Sequence, residues 1–255
     1  MKTSIEYFVD EDSIVRRIWG KSDTILFIFA GAAAEFALNK AVDWLYFTGK
    51  LPADPLGRLF STVTYARQIV FSELEDANAA IDKITGIHAA VEKNRNATIP
   101  DWAYRDVLFM LIWYSIAAFE LLERKLTEEE KQDLFDVFYR MGMRMHLKGL
   151  PGNYNDWLIM HNEHLQANLL KSNYTVDLFK QYKKHLGAFR YKLLLESQKL
   201  VVPVKVKELL GFNNINWLRI IVWFYKLSRK IKADGLLKSL ILPKEYSAQI
   251  KALDN

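Results

Sequence analysis

The chain has 255 residues, is 51% hydrophobic and contains 11 Gly and 6 Pro, enough apolar material for one large core with few breaks. It has no cysteine, which excludes disulfides, thiolate metal ligation and thioether attachment of a prosthetic group. The net charge of +5 is lopsided: residues 1–179 hold 19 Lys/Arg against 25 Asp/Glu, whereas residues 180–255 hold 16 against 5. That basic end points to an anionic membrane surface, or to nucleic acid, more readily than to a free soluble tail.

The N-terminus, MKTSIEYFVDED, has no basic stretch followed by an apolar core, so no signal peptide is expected. A short helix through Ile18 is expected, capped by Asp12 or Ser13, and then one helix over residues 24–47 capped by Asp23. Its apolar run, residues 25–34, ends at Glu35 and is too short for a bilayer, which needs about 20 residues. Gly31 and the neighbouring alanines allow close approach of another helix or of a flat cofactor.

Residues 50–55 read as a loop. Pro55 then opens a helix on which Arg58, Ser61, Thr62 and Tyr65 fall at i, i+3, i+4 and i+7 and share one face. Ser72 and Glu75 have the spacing of a capping box for a second helix. Its apolar stripe is Ala77, Ile81, Ile84, His88 and Val91, so His88 is expected to point inward. A neutral imidazole there could ligate a metal through one nitrogen while a neighbouring acceptor holds the other N–H. A lone histidine on an apolar stripe is also compatible with an ordinary hydrogen-bonded core residue.

After a polar connector, residues 100–126 read as a long helix with a mostly apolar segment at residues 107–119; Trp113 and Tyr114 fit core packing or the border of a pocket. Thr127 and Glu130 form a second capping box for a helix to about residue 148, closed by Gly149 and Pro151. Met141, Met143 and Met145 near its end read as flexible core fillers. A helix beginning at Asn155 or Asp156 carries H-N-E-H. No Glu-x-x-His pair and no H-E-x-x-H occurs, so His161 and His164 read as surface or interhelical polar residues rather than metal ligands.

A helix over residues 175–197 is softened at Gly187, and the Val/Lys alternation around Pro203 in residues 200–207 suggests an extended connector. A last helix, residues 214–233, interleaves Trp217, Trp223, Phe224 and Tyr225 with Arg219, Lys226, Arg229, Lys230 and Lys232. It suits either a lipid headgroup region or a core helix with a solvated basic end. No nucleic-acid-binding module is recognisable.

These elements predict an all-α fold: a single-domain, multi-helix bundle over residues 1–255, with a core at about 13–186 and a basic helical extension at 187–255. R-x-x-S-T on one helix, an inward His twenty-six residues after the Thr, the apolar helix after Pro100 and the LP-x-x-x-x-D-W segment at residues 150–157 together resemble the rubber oxygenase (latex-clearing protein) and MpaB-type oxygenase family. The resemblance implies a bundle enclosing a haem b pocket. His88 would be the iron ligand, Arg58 and Thr62 the catalytic polar groups, and Ser61 and Tyr65 further residues at the cofactor. It implies a haem-dependent oxygenase or oxidoreductase that takes dioxygen and an apolar substrate, such as a prenyl-type one. Latex-clearing proteins carry a lysine directly before the Thr, where this chain has Ser61. A non-catalytic helical protein that binds haem or lipid and sits peripherally on membranes is the alternative. The expected location is cytoplasmic, with or without peripheral membrane contact.

Overall fold

A computed structural model describes residues 6–230, and within them the chain is helical without a sheet. The helices are α1 (Ile14–Trp19), α2 (Ser22–Phe36), α3 (Val42–Phe47), α4 (Lys50–Ala53), α5 (Pro55–Phe71), α6 (Leu74–Arg95), α7 (Asp101–Leu122), α8 (Glu128–Arg144), α9 (Tyr154–Ala167), α10 (Asn173–Val201), α11 (Val204–Leu210) and α12 (Leu218–Lys230). Local chemistry places most of their ends. Ser13 accepts from the Val15 N–H, Asp54 from Gly57, and Thr127 and Glu130 form the reciprocal capping box. Gly187, at φ 71°, breaks the regular dihedrals inside α10.

The centre of the bundle is the pair α2 and α7, packed along their length. α7 buries Leu108, Phe109, Met110, Ile112, Tyr114, Ile116, Ala118 and Phe119, so its continuous apolar run belongs to the core. A Cβ on Gly31 would fall on the Tyr114 ring. The small residue therefore serves the approach of α7, not that of a flat cofactor. Among the described residues no helix is long and apolar enough to cross a membrane.

Four local expectations differ from the structure. The helix expected over residues 24–47 is two, α2 and α3. Asn39 interrupts it by accepting from the Ala41 N–H at 2.8 Å and donating to Asp106 at 3.0 Å, while the segment is tied to the loop after α9 by the Lys40 N–H donating to the Asn168 carbonyl and the Leu170 N–H donating to the Leu38 carbonyl. The Ser72 box does not form. Glu73 is held extended beside Tyr7, with the Leu74 N–H donating to the Glu6 carbonyl, so Glu73 takes the N-cap position and α6 starts at Leu74, one residue later than a Ser72 cap would place it. Residues 50–55 contain the short helix α4 instead of only a loop. The Val/Lys alternation after Pro203 is helical too: Val206 is fully buried, whereas Val204 faces out. The expected end of the last helix at Ala233, with Lys232, lies outside the described residues.

Candidate cofactor site and a buried histidine network

α5 carries the first half of the candidate site. Arg58 Nη1 donates to Ser61 Oγ (3.2 Å) and Thr62 Oγ1 (3.0 Å), and both hydroxyls donate back to the Arg58 carbonyl. The four-residue spacing read from the sequence thus becomes a closed ring of hydrogen bonds on one helical face. Among the described residues no carboxylate pairs with Arg58, and Asp54 is engaged in capping the helix. Burial lowers the Arg58 pKa from its ordinary value. Tyr65, one turn on, has the Lys83 ammonium over its ring at 5.7 Å.

α6 packs on α5 and presents His88. Ala77 and Ile81 on the stripe are buried, whereas Ile84, His88 and Val91 are half-buried, so the stripe opens toward its C-terminal end. His88 Nδ1 is buried without a hydrogen-bond partner. Burial and the Arg58 charge depress the His88 pKa, against the opposing charge of Glu92, and the imidazole is neutral at neutral pH. The Tyr104 ring lies edge-on to it at 5.1 Å. Tyr104 is anchored in turn, its hydroxyl donating to Glu92 Oε1 (3.2 Å), which also accepts the Ile99 N–H (2.8 Å). One carboxylate therefore ties the end of α6, the connector and α7 around the histidine.

The sequence reading missed a second polar cluster. His164 is 4% exposed and lies between two carboxylates, Nε2 donating to Glu35 Oε1 at 2.9 Å and Nδ1 to Asp106 Oδ1 at 2.8 Å. Tyr114 donates to the other oxygen of Glu35 at 2.7 Å, and the amides of Asn39 and Asn168 donate to Asp106 Oδ2 at 3.0 and 2.9 Å. Burial pulls the His164 pKa down, but the hydrogen bonds to Asp106 and Glu35 outweigh it and lift it to about 9. His161, one turn earlier, is stacked between Trp157 and Trp113 with ring centroids 5.1 Å away on each side, and burial plus the His164 charge lower its pKa to about 3. Of the two expected placements, surface or interhelical, the second holds: both histidines are buried at the junction of α2, α7 and α9, one cationic and one neutral. Their signal in the sequence was phase. Glu35 falls at i+4 and i+7 from the buried Gly31 and Ile28, and Asp106 stands at i−3 and i−4 from Phe109 and Met110.

Both nitrogens of His164 are used on carboxylates, and among the described residues no group of three or more His, Asp or Glu is arranged to hold a metal ion. His146 and His185 are exposed on the surface.

A family model described as ER-bound oxygenase mpaB/B'/rubber oxygenase, catalytic domain, matches residues 16–219. The chain belongs to this family. No curated protein and no solved structure matches it. The mpaB/rubber oxygenase match covers both polar clusters and extends past the core expected from sequence, through α10 and α11 to the first residues of α12. Ser61 is occupied within its own helix by the Arg58 ring of hydrogen bonds.

Proposed function

We propose that the protein is a haem b-dependent oxygenase, or a related oxidoreductase, acting on an apolar substrate such as a prenyl-type one. Membership of an oxygenase catalytic-domain family supports the reaction class. The observation that carries the cofactor reading is the pairing of His88 with Arg58: a neutral imidazole with a buried, unpartnered nitrogen beside a half-buried guanidinium that has no carboxylate among the described residues. An orphaned buried nitrogen is costly in a finished core, and the half-buried Arg58 charge beside it has hydroxyl partners but no counter-charge among the described residues; both fit a site for a ligand that is itself anionic and metal-bearing.

In this reading His88 holds the iron, and Tyr65 and Ser61 border the cofactor. A bound haem supplies the redox-active iron needed to use dioxygen. The protein supplies the rest. Arg58 places a fixed positive charge where negative charge develops, and its hydrogen bond to Thr62 fixes the direction in which that hydroxyl is presented. The Glu92–Tyr104 anchor limits rotation of the His88 ring. Half-buried apolar residues beside His88, Ile84 and Val91, favour an apolar substrate over a charged one.

The deciding measurement is the visible absorption spectrum of protein produced with haem supply. Wild type should show a strong Soret band at about one haem per chain, and His88→Ala should lose it. Full haem retention in His88→Ala removes the assignment. A red protein that binds oxygen but converts no apolar alkene would leave carriage or sensing in place of catalysis.

A further inference from the structure

α12 has two apolar faces, and only one of them is covered by the described residues. Leu218, Val222 and Tyr225 are buried against Leu122 and Leu193, and the helix is pinned by the Tyr225 hydroxyl donating to Asp23 Oδ2 at 2.8 Å and by Lys226 Nζ donating to the Leu121 carbonyl at 3.1 Å. The other face carries Ile220 (63% exposed), Ile221, Trp223 (61%) and Phe224 (58%), with Ile215 (76%) just before the helix. Trp223 and Phe224 contact each other edge-to-face at 4.9 Å, so the patch is continuous rather than a scatter of single side chains. Because the inner face is fixed by a buried hydrogen bond, the helix cannot roll to hide the outer one.

We propose that this outward face of α12 docks the protein onto an anionic lipid surface, with the helix lying in the headgroup plane. Charge selects the occupant. From Glu208 to Asp234 the sequence has no other acidic residue, and besides Lys226, whose ammonium is turned inward to the Leu121 carbonyl, it carries Arg219, Arg229, Lys230 and Lys232 in that interval. Arg219 is exposed beside the aromatic pair. A symmetric contact between two copies would set this basic stretch against itself. An anionic bilayer offers acyl chains to the Trp, Phe and Ile side chains and phosphates to the exposed Arg219 beside them, the arrangement of an interfacial amphipathic helix. The site also lies on an element distinct from α5 and α6, so docking stands or falls independently of the haem reading.

The test is co-sedimentation of the full-length protein with vesicles of phosphatidylcholine alone and of phosphatidylcholine mixed with phosphatidylglycerol, at low and high salt. Wild type should pellet with the anionic vesicles at low salt and be released at high salt. Trp223→Ser/Phe224→Ser should lower partitioning by at least about tenfold. Arg219→Gln should lower it about fivefold. Ile159→Ser, which removes an equally exposed apolar residue (62%) on α9, should leave it unchanged. All four proteins should share one circular-dichroism spectrum and melting temperature, because the altered side chains face solvent. The proposal is overturned by equal binding to neutral and anionic vesicles, or by loss of binding in Ile159→Ser as great as in the double variant. It is equally overturned by a protein that ignores vesicles, whether it is a monomer or a dimer that dissociates when Trp223 and Phe224 are replaced.

Discussion

Raising the pH from 6.5 to 9 should weaken the folded state by roughly 2–3 kcal/mol through a single side chain, His164. Its ordinary pKa is 6.5, and in the folded protein it is lifted to about 9. A group whose folded pKa is raised contributes stability that is fully present below its unfolded pKa. That stability is lost as pH rises through the folded pKa, and the gap between 6.5 and about 9 corresponds to roughly 3 kcal/mol. The physical source is the proton that lets His164 donate to Glu35 and Asp106 at once. When it leaves, two buried carboxylates share one neutral ring. Urea denaturation followed by circular dichroism at intervals between pH 6.5 and 9 measures the loss, and it stays below the range in which unfolded tyrosines ionise. His164→Gln provides the control. It should be less stable than wild type at pH 6.5, by about 3–5 kcal/mol if one partner of a buried ion pair is simply removed. Its stability should then be nearly flat across this window. A flat wild-type profile, or the same slope in His164→Gln, refutes the assignment of the proton to this network. His161 acts with the opposite sign. Its pKa is depressed to about 3, so the stability it provides is present above about 6.5 and erodes as pH falls toward 3. The folded state should therefore be most stable near neutrality.

Two further predictions concern other residues. Arg58→Ala and Thr62→Val should keep haem but lower oxygenase turnover by about 10²–10³ each, the usual cost of losing one preorganised donor, with near-wild-type melting temperatures because Arg58 has no ion pair among the described residues to lose. Unchanged stopped-flow oxygen kinetics in both variants would remove the catalytic role. Gly31→Ala should lower stability by about 1–3 kcal/mol, read as a drop in melting temperature, since its methyl group would fall on the Tyr114 ring and press on the hydroxyl that serves Glu35. A neutral or stabilising Gly31→Ala would show that α2 and α7 do not pack as described.

By itself the sequence determined what depends on neighbours a few residues away. The apolar periods placed most of the helices, and Ser13, the Thr127–Glu130 box, Pro55 and Gly187 act where their local chemistry says they should. The shared face of Arg58, Ser61 and Thr62 was legible for the same reason, since i, i+3 and i+4 on a helix are adjacent whatever surrounds them. Residues 200–207 show the limit of that logic, because alternation over a few positions does not separate a strand from a short helix with one buried valine.

Tertiary structure decided whatever requires two distant segments to meet. Asn39 ends α2 because Asp106, 67 residues away, accepts its amide, and Glu73 is extended because it pairs with Tyr7. Glu35, Asp106 and His164 were unreadable as a unit. A charged residue met alone is assigned to solvent, since burying it unpaired is prohibitive, and only the joint approach of α2, α7 and α9 supplies the partners that make burial tolerable. α12 shows both limits together. Its composition fitted a core helix and a lipid-facing helix equally well, and packing gave it one face of each kind, because the bundle had room to bury Leu218, Val222 and Tyr225 but nothing among the described residues to cover Trp223 and Phe224.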